Sequence, residues 1–304
     1  MTARNGVARF GRMLPLGRGR AKAADAALRP GRHVPVVPLV ILVVLVLSAI
    51  LAPIISPYSP LKIDLTHALL PPFYQAGGSL AHILGTDKVG RDVLTRLIYG
   101  GQVSLSLSVS VLLIGGSVGI ILGLISGYAA GKLDTAIQRG VEVILSLPTI
   151  MVALVAVYVL GQSFLSVVLV LSPFIAARFA RMVRGEALTI RKRSFVALAQ
   201  VAGASHARII IKHILPNVAG TIIVISTLEI GHLILLEASL SFLGVGVPPP
   251  TPAWGLMVAD GREYLSTKYW LSLFPGLAIM ATVLSINWLG DWLRDILDPK
   301  TQLL

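Results

Sequence analysis

Apolar residues in this chain run in long blocks, and the polar positions are gathered between them. Six blocks reach or approach the roughly 20 apolar residues that a bilayer-crossing helix requires: about 34–55, 102–127, 141–160, 163–180, 218–243 and 270–290. The third and fourth are separated only by Gly161-Gln162, which predicts a tight helical hairpin. Prolines at 35, 38, 53, 148, 173 and 275 fall inside or at the ends of blocks; neighbouring helices can satisfy the backbone groups such kinks release. The pattern predicts an all-α membrane protein with six transmembrane helices.

Between the blocks lie two long polar segments. In the first, Ser56 to Gly101, the apolar residues Val93, Leu94, Leu97 and Ile98 mark one helical face after Gly90. They predict an amphipathic helix lying on the membrane surface ahead of the second span. The second segment, "GVGVPPPTPAWGLMVADGREYL", begins with a proline run expected to be stiff and extended. Trp254, Tyr264, Tyr269 and Trp270 suit an interfacial aromatic belt.

Composition agrees with the blocks: 55% of residues are hydrophobic and 13% charged, with a mean hydropathy of +0.82. A soluble domain carries roughly a quarter charged residues. The net charge of +12 changes meaning once it is located. With both termini on one side, 19 Lys and Arg fall in 1–33, 128–140, 181–217 and 291–304, against 6 in 56–101 and 244–269. The positive-inside rule therefore predicts cytoplasmic termini rather than a nucleic-acid partner. Residues 1–33 carry eight of those basic residues against Asp25 alone, without a convincing cleavage site after the apolar stretch that follows. They are expected to be a disordered cytoplasmic tail before an uncleaved first span. The expected divisions are this tail, 34–101 (first span and extracytoplasmic segment), 102–290 (a core of five spans with a loop at about 184–217) and a cytoplasmic tail, 291–304.

Candidate chemistry is sparse. The absence of cysteine excludes disulfides, thiolate metal sites and a Cys nucleophile. Gly127-Tyr-Ala-Ala-Gly131-Lys132-Leu133 is one residue short of a phosphate loop and has Leu where the hydroxyl belongs. No G-x-S-x-G elbow or H-E-x-x-H pair occurs, and the six histidines lack ligand spacing. Asp87 and Asp92 read as surface ion pairs with Lys88, Arg91 and Arg96 rather than as paired catalytic carboxylates. No enzyme, metal site or cofactor is expected in this chain.

Within the apolar blocks, Glu229, His232 and Glu237 share the fifth span, where an ionisable group costs about 2.5–3.5 kcal/mol at a helix centre. They either line a translocation path or serve an interface, and sequence leaves both open. Gly115-x3-Gly119-x3-Gly123-x3-Gly127 in the second span is a small-residue stripe for close helix packing.

The polar stretch "ALAQVAGASHARIIIKHILPN", Ala197 to Asn217, predicts two short helices hinged at Gly203. Its second helix is too rich in isoleucine for a DNA-recognition helix. Ala199, Gln200, Ala202, Ala204 and Ser205 offer a small knob to a protein groove, Arg208 a cation for an acidic rim. Pro216 is expected to end the second helix before the chain re-enters the membrane.

Here the sequence resembles the permeases of binding-protein-dependent ABC importers, whose cytoplasmic signature is E-A-A-x3-G-x9-I-x-L-P. Ala199, Gly203 and Leu215-Pro216 match it, whereas Ala197, Leu198 and His213 depart from it. "HILGTDKVGRD", "EASLSFLGVGVPPPTPAWG" and "WLRDILDPK" extend the resemblance to the C-type permeases of dipeptide and oligopeptide importers.

The resemblance implies a type I importer permease fold in a bacterial cell membrane, paired with a homologous second permease subunit. It also implies two ATPase subunits that bind ATP and Mg, an extracytoplasmic solute-binding protein and a peptide substrate. The corner from Ala199 to Arg208 would then be the coupling element. Asp87, Arg91, Asp92 and Trp254 would dock the binding protein. Nickel or glutathione import uses the same skeleton; an ion-driven secondary carrier and a membrane scaffold are the readings from other classes.

Overall fold

A computed structural model describes residues Val34–Leu297, so both predicted termini, apart from residues 291–297, lie outside the described residues. Those residues are helical apart from turns, loops and a single bridge pair, Thr86 with Asp92. We number the helices α1 (Val36–Ile50), α2 (Val93–Ala129), α3 (Gly131–Ser146), α4 (Thr149–Leu160), α5 (Phe164–Arg191), α6 (Ser194–Val201), α7 (His206–Phe242), α8 (Trp254–Gly261) and α9 (Trp270–Leu297). Among the described residues, α2, α5, α7 and α9 are long and apolar enough to cross a membrane. α1 is apolar but has only 15 residues.

The most extensive pairing joins α2 to α5. Hydrophobic burial gives little drive to helix association in lipid, so close van der Waals approach must supply it. The glycine stripe permits that approach. A Cβ at Gly115 would stand 2.5 Å from the Ser172 carbonyl oxygen, and one at Gly123 2.8 Å from that of Ala180. Leu107, Val111, Leu171, Ile175 and Phe179 fill the seam around these glycines and are buried. The expectation of tight packing at the stripe is met within this subunit.

Three expectations are overturned. The third block is not one straight span: α3 and α4 meet at 87°. Pro148 disfavours helical geometry at Leu147, which is extended (φ −85°, ψ 137°). Residues 93–101 are not a separate surface helix but the first turns of α2, with Val93 buried. Asp92 starts that helix by accepting the Thr95 N–H at 2.8 Å. Pro216 does not end a helix. The turns at Ile210–Ile214 widen to π geometry, and α-helix resumes at Leu215 with Pro216 in its first turn. The wider turn absorbs the missing N–H and the ring's clash, and a proline is tolerated at that position.

The aromatic belt and the proline run also differ from expectation. Trp254 and Trp270 are 2% and 1% exposed. Trp254 donates its Nε1–H to the Leu97 carbonyl at 2.8 Å and lies against Gly100 and Gly101, where a Cβ would come within 3.0 Å of its ring. Residues 249–250 turn instead of extending, and α8 packs back on α2 and α7.

Candidate functional site

The Gly203 corner is built by local rules. α6 ends in a paired cap: the Gly203 N–H donates to the Gln200 carbonyl and the Ala204 N–H to that of Ala199, both at 3.0 Å. This geometry places Gly203 at φ +78°, in the left-handed region where a Cβ is strained. No atom lies within 4 Å of a Cβ built there, so conformation alone restricts the position. Ser205 starts the next helix, its side chain accepting the Arg208 N–H at 3.4 Å.

The corner has an anchored side and an open side. Val196, Ile209 and Ile214 are fully buried against Leu124, Val183 and Ala187 of α2 and α5. Tyr128, at the end of α2, hydrogen-bonds His206 at 2.8 Å, and the Arg191 guanidinium lies 5.9 Å from its ring centroid. Ala199 and Ala204 pack back on this cluster, so they are not part of the knob. Gln200, Ala202, Gly203, Ser205 and Arg208 are exposed. Sequence reasoning missed the most prominent groups there, Val201 at 88% and Leu198 at 68% exposed. Their signal was an apolar pair, i and i+3, on the side of α6 opposite buried Val196.

Below the corner, Asp134 of α3 receives a bidentate pair from Arg184 of α5, at 2.5 and 2.7 Å. Ser126 of α2 donates to the same carboxylate at 2.5 Å. These contacts fasten α3 to the seam. Gly127 and Gly131 belong to this helical junction, not to a strand-to-helix phosphate cradle.

Two predicted acids on α7 separate in role. Glu229 accepts from Arg178 Nη1 at 3.0 Å, and both side chains are partly exposed. Arg178 comes from α5, which continues beyond it to Arg191. His232 is exposed on the same helix. Glu237 is instead fully buried, accepting the Ser241 hydroxyl at 2.7 Å.

The candidates of the Ser56–Gly101 segment form a closed loop rather than a surface. Asp87 holds the N–H groups of Val89 and Arg91 at 3.0 and 2.9 Å and the Arg91 Nε at 2.6 Å. Asp92 contacts His82 Nδ1 at 3.0 Å. Asp87, Arg91 and Asp92 are each at most 9% exposed, so neither surface ion pairs nor a docking surface describes them. Asp87, Arg91 and Asp92 shape the loop from inside, whereas Trp254 is buried against α2. Gly90, at φ +78°, brings its backbone against Asp64. Lys88 reaches Asp260 at 2.9 Å, joining the two polar segments, and this contact raises the Lys88 pKa.

Comparison with known proteins places this architecture. Residues 119–303 match the family described as binding-protein-dependent transport system inner membrane component. Residues 33–72 match the N-terminal TM domain of oligopeptide transport permease C. The chain is 40% identical over 252 residues to the dipeptide transport system permease protein DppC of Haemophilus influenzae, covering 83% of this chain and 85% of that protein. It is 43% identical over 252 residues to the protein of the same name from Escherichia coli, covering 83% and 84%. The probable D,D-dipeptide transport system permease protein DdpC of Escherichia coli is 39% identical over 251 residues, covering 83% and 82%. In fold, the chain is similar to a solved chain of the MetNI methionine ABC transporter in inward-facing conformations. Their TM-score is 0.54 at 20% identity, covering 67% of this chain and 97% of that one.

Proposed function

The chain belongs to the family of binding-protein-dependent transport system inner membrane components, and on that premise we propose that it is one permease subunit of an ATP-driven importer of dipeptides and oligopeptides. The observation that carries the substrate class is the identity of about 40% over 83% of the chain to relatives named for dipeptide transport.

In this reading α1, the α3–α4 pair and the four long helices supply six spans, and both termini are cytoplasmic. A homologous second permease completes the pathway. Separate ATPase subunits bind ATP and Mg, and a binding protein delivers peptide from outside. The exposed side of α6 and the turn after it, with Val201 and Leu198 at its crest, receive the ATPases. Closure of the ATPases pulls the corner. Val196, Ile209 and Tyr128 pass that displacement to α5, α7 and α2, because packed interfaces shift between discrete arrangements rather than bend. Peptide is thereby exposed alternately to the two sides.

Reconstitution into vesicles tests this. Dialanine uptake should require the ATPase subunits, ATP and the binding protein together. Uptake without ATPases, driven by an ion gradient, would make the chain a secondary carrier. ATP-driven uptake of nickel or glutathione with none of dialanine would keep the machine and change its cargo.

A further inference from the structure

α7 is the least enclosed of the long helices, with 22% of its most apolar stretch buried, and it carries Glu229 and exposed His232. α5, the most enclosed at 67%, contributes Arg178 to that same open side. Glu229 stands midway along the apolar block 218–243, and Arg178 pairs with it from α5. An ionisable residue within such a block faces a water-filled path or protein, not lipid.

The pair is half-engaged. Its one hydrogen bond joins Arg178 Nη1 to Glu229 Oε2, leaving Arg178 Nε and Nη2 and Glu229 Oε1 open among the described residues. The side chains keep 29% and 16% of their surface exposed. Asp134 and Arg184, by contrast, are joined by two hydrogen bonds, and Ser126 donates to the same carboxylate.

We propose that Arg178 and Glu229 form a terminus-binding site for peptides in the pathway, Arg178 taking the C-terminal carboxylate and Glu229 the N-terminal ammonium. The proposal rests on the reading of the chain as a peptide permease and specifies what that pathway recognises. A peptide is a zwitterion whatever its side chains, so one cation and one anion side by side suit a broad range of sequences. The guanidinium fork matches a carboxylate in two-point geometry. Without peptide the two groups neutralise each other, which leaves no lone charge to attract a small ion. His232 flanks the pair and adds a further hydrogen-bonding group to the peptide backbone.

The test uses the assembled complex of this chain, its permease partner and the ATPases, without the binding protein, so that the pathway alone selects. Equilibrium binding is measured for dialanine, N-acetyl-dialanine and dialanine amide. Dialanine should bind on the order of tenfold more tightly than either blocked form, the scale of one lost charge-assisted hydrogen bond. Arg178→Gln should weaken dialanine and N-acetyl-dialanine while sparing the amide. Glu229→Gln should weaken dialanine and the amide while sparing N-acetyl-dialanine. This crossed pattern cannot arise from a pair that merely holds helices together.

Equal affinity for all three peptides in the unaltered complex, absence of saturable binding, or uniform loss across peptides in both variants would each overturn the site. The unaltered complex decides even where a variant fails to assemble. ATP-driven dialanine uptake, measured beside it with the binding protein present, separates the outcomes. If uptake persists without terminus dependence, only the site is wrong; if it is absent, the wider reading fails.

Discussion

α5 and α7 have nearly the same hydropathy, 1.7 and 1.9, yet 67% of the apolar stretch of α5 is buried and only 22% of that of α7. The difference does not come from greasiness. α5 is enclosed because α2 offers it a row of glycines, so the two backbones meet. α7 meets α2, α5, α8 and α9 without a comparable stripe along its length, and leaves one side open. Hydropathy finds the spans, but small residues decide which faces close and ionisable residues mark the face that stays open. The Gly203 corner joins these two helices, so a pull on it would act on a tight seam and an open face together.

The largest effect should come from breaking the seam. Gly123→Leu places a side chain against the backbone of Ala180, which cannot yield. The subunit should fail to accumulate in an assembled complex, whereas Ile223→Leu on the exposed side of α7 should be tolerated. Pull-down of the partner subunits measures both. Equal assembly of the two variants would erase the contrast between α5 and α7. Next is Trp254→Ala, which empties a buried site on Gly100 and Gly101. It should cost about 3–5 kcal/mol in a detergent unfolding titration, the range for a buried Trp.

Gly203→Val meets no steric obstacle but forces a β-branched residue to φ +78°. The spans should insert normally and ATP hydrolysis should continue, while uptake per ATP falls by roughly tenfold, equivalent to about 1.4 kcal/mol. Unchanged uptake would remove the corner from the coupling path.

The smallest effect belongs to Asp260→Asn. Lys88–Asp260 is a largely exposed pair, so its loss should cost less than about 1 kcal/mol. Because Asp260 raises the Lys88 pKa, its contribution is present below the unfolded lysine value, about 10.4, and disappears as pH rises through the folded value. The stability gap between unaltered protein and variant should therefore hold up to about pH 10.4 and close only above it, as Lys88 deprotonates in the folded protein.

Much of this was legible in the chain. The blocks located the long helices, the glycine stripe its partner seam, and Gly203 the corner. Features that depend on distant contacts were not. Asp87, Arg91 and Asp92 look like surface charges because nothing local shows residues 64–69 closing over them, through Asp64 N–H to the Val89 carbonyl and Leu69 N–H to the Asp87 carbonyl. Trp254 looks interfacial until Gly100 and Gly101, some 150 residues earlier, are brought beneath it. Pro216 read as a stop because a π turn that accommodates it carries no sequence signature.

The corner's role as the ATPase-receiving surface admits one direct measurement. The chain has no cysteine, so Val201→Cys supplies a single thiol at the most exposed apolar position of the corner. Labelled there with a short photo-crosslinker in the assembled, uptake-competent complex, the chain should form an adduct with an ATPase subunit. An adduct only with lipid or with the second permease, in a complex that still takes up peptide, would contradict the account.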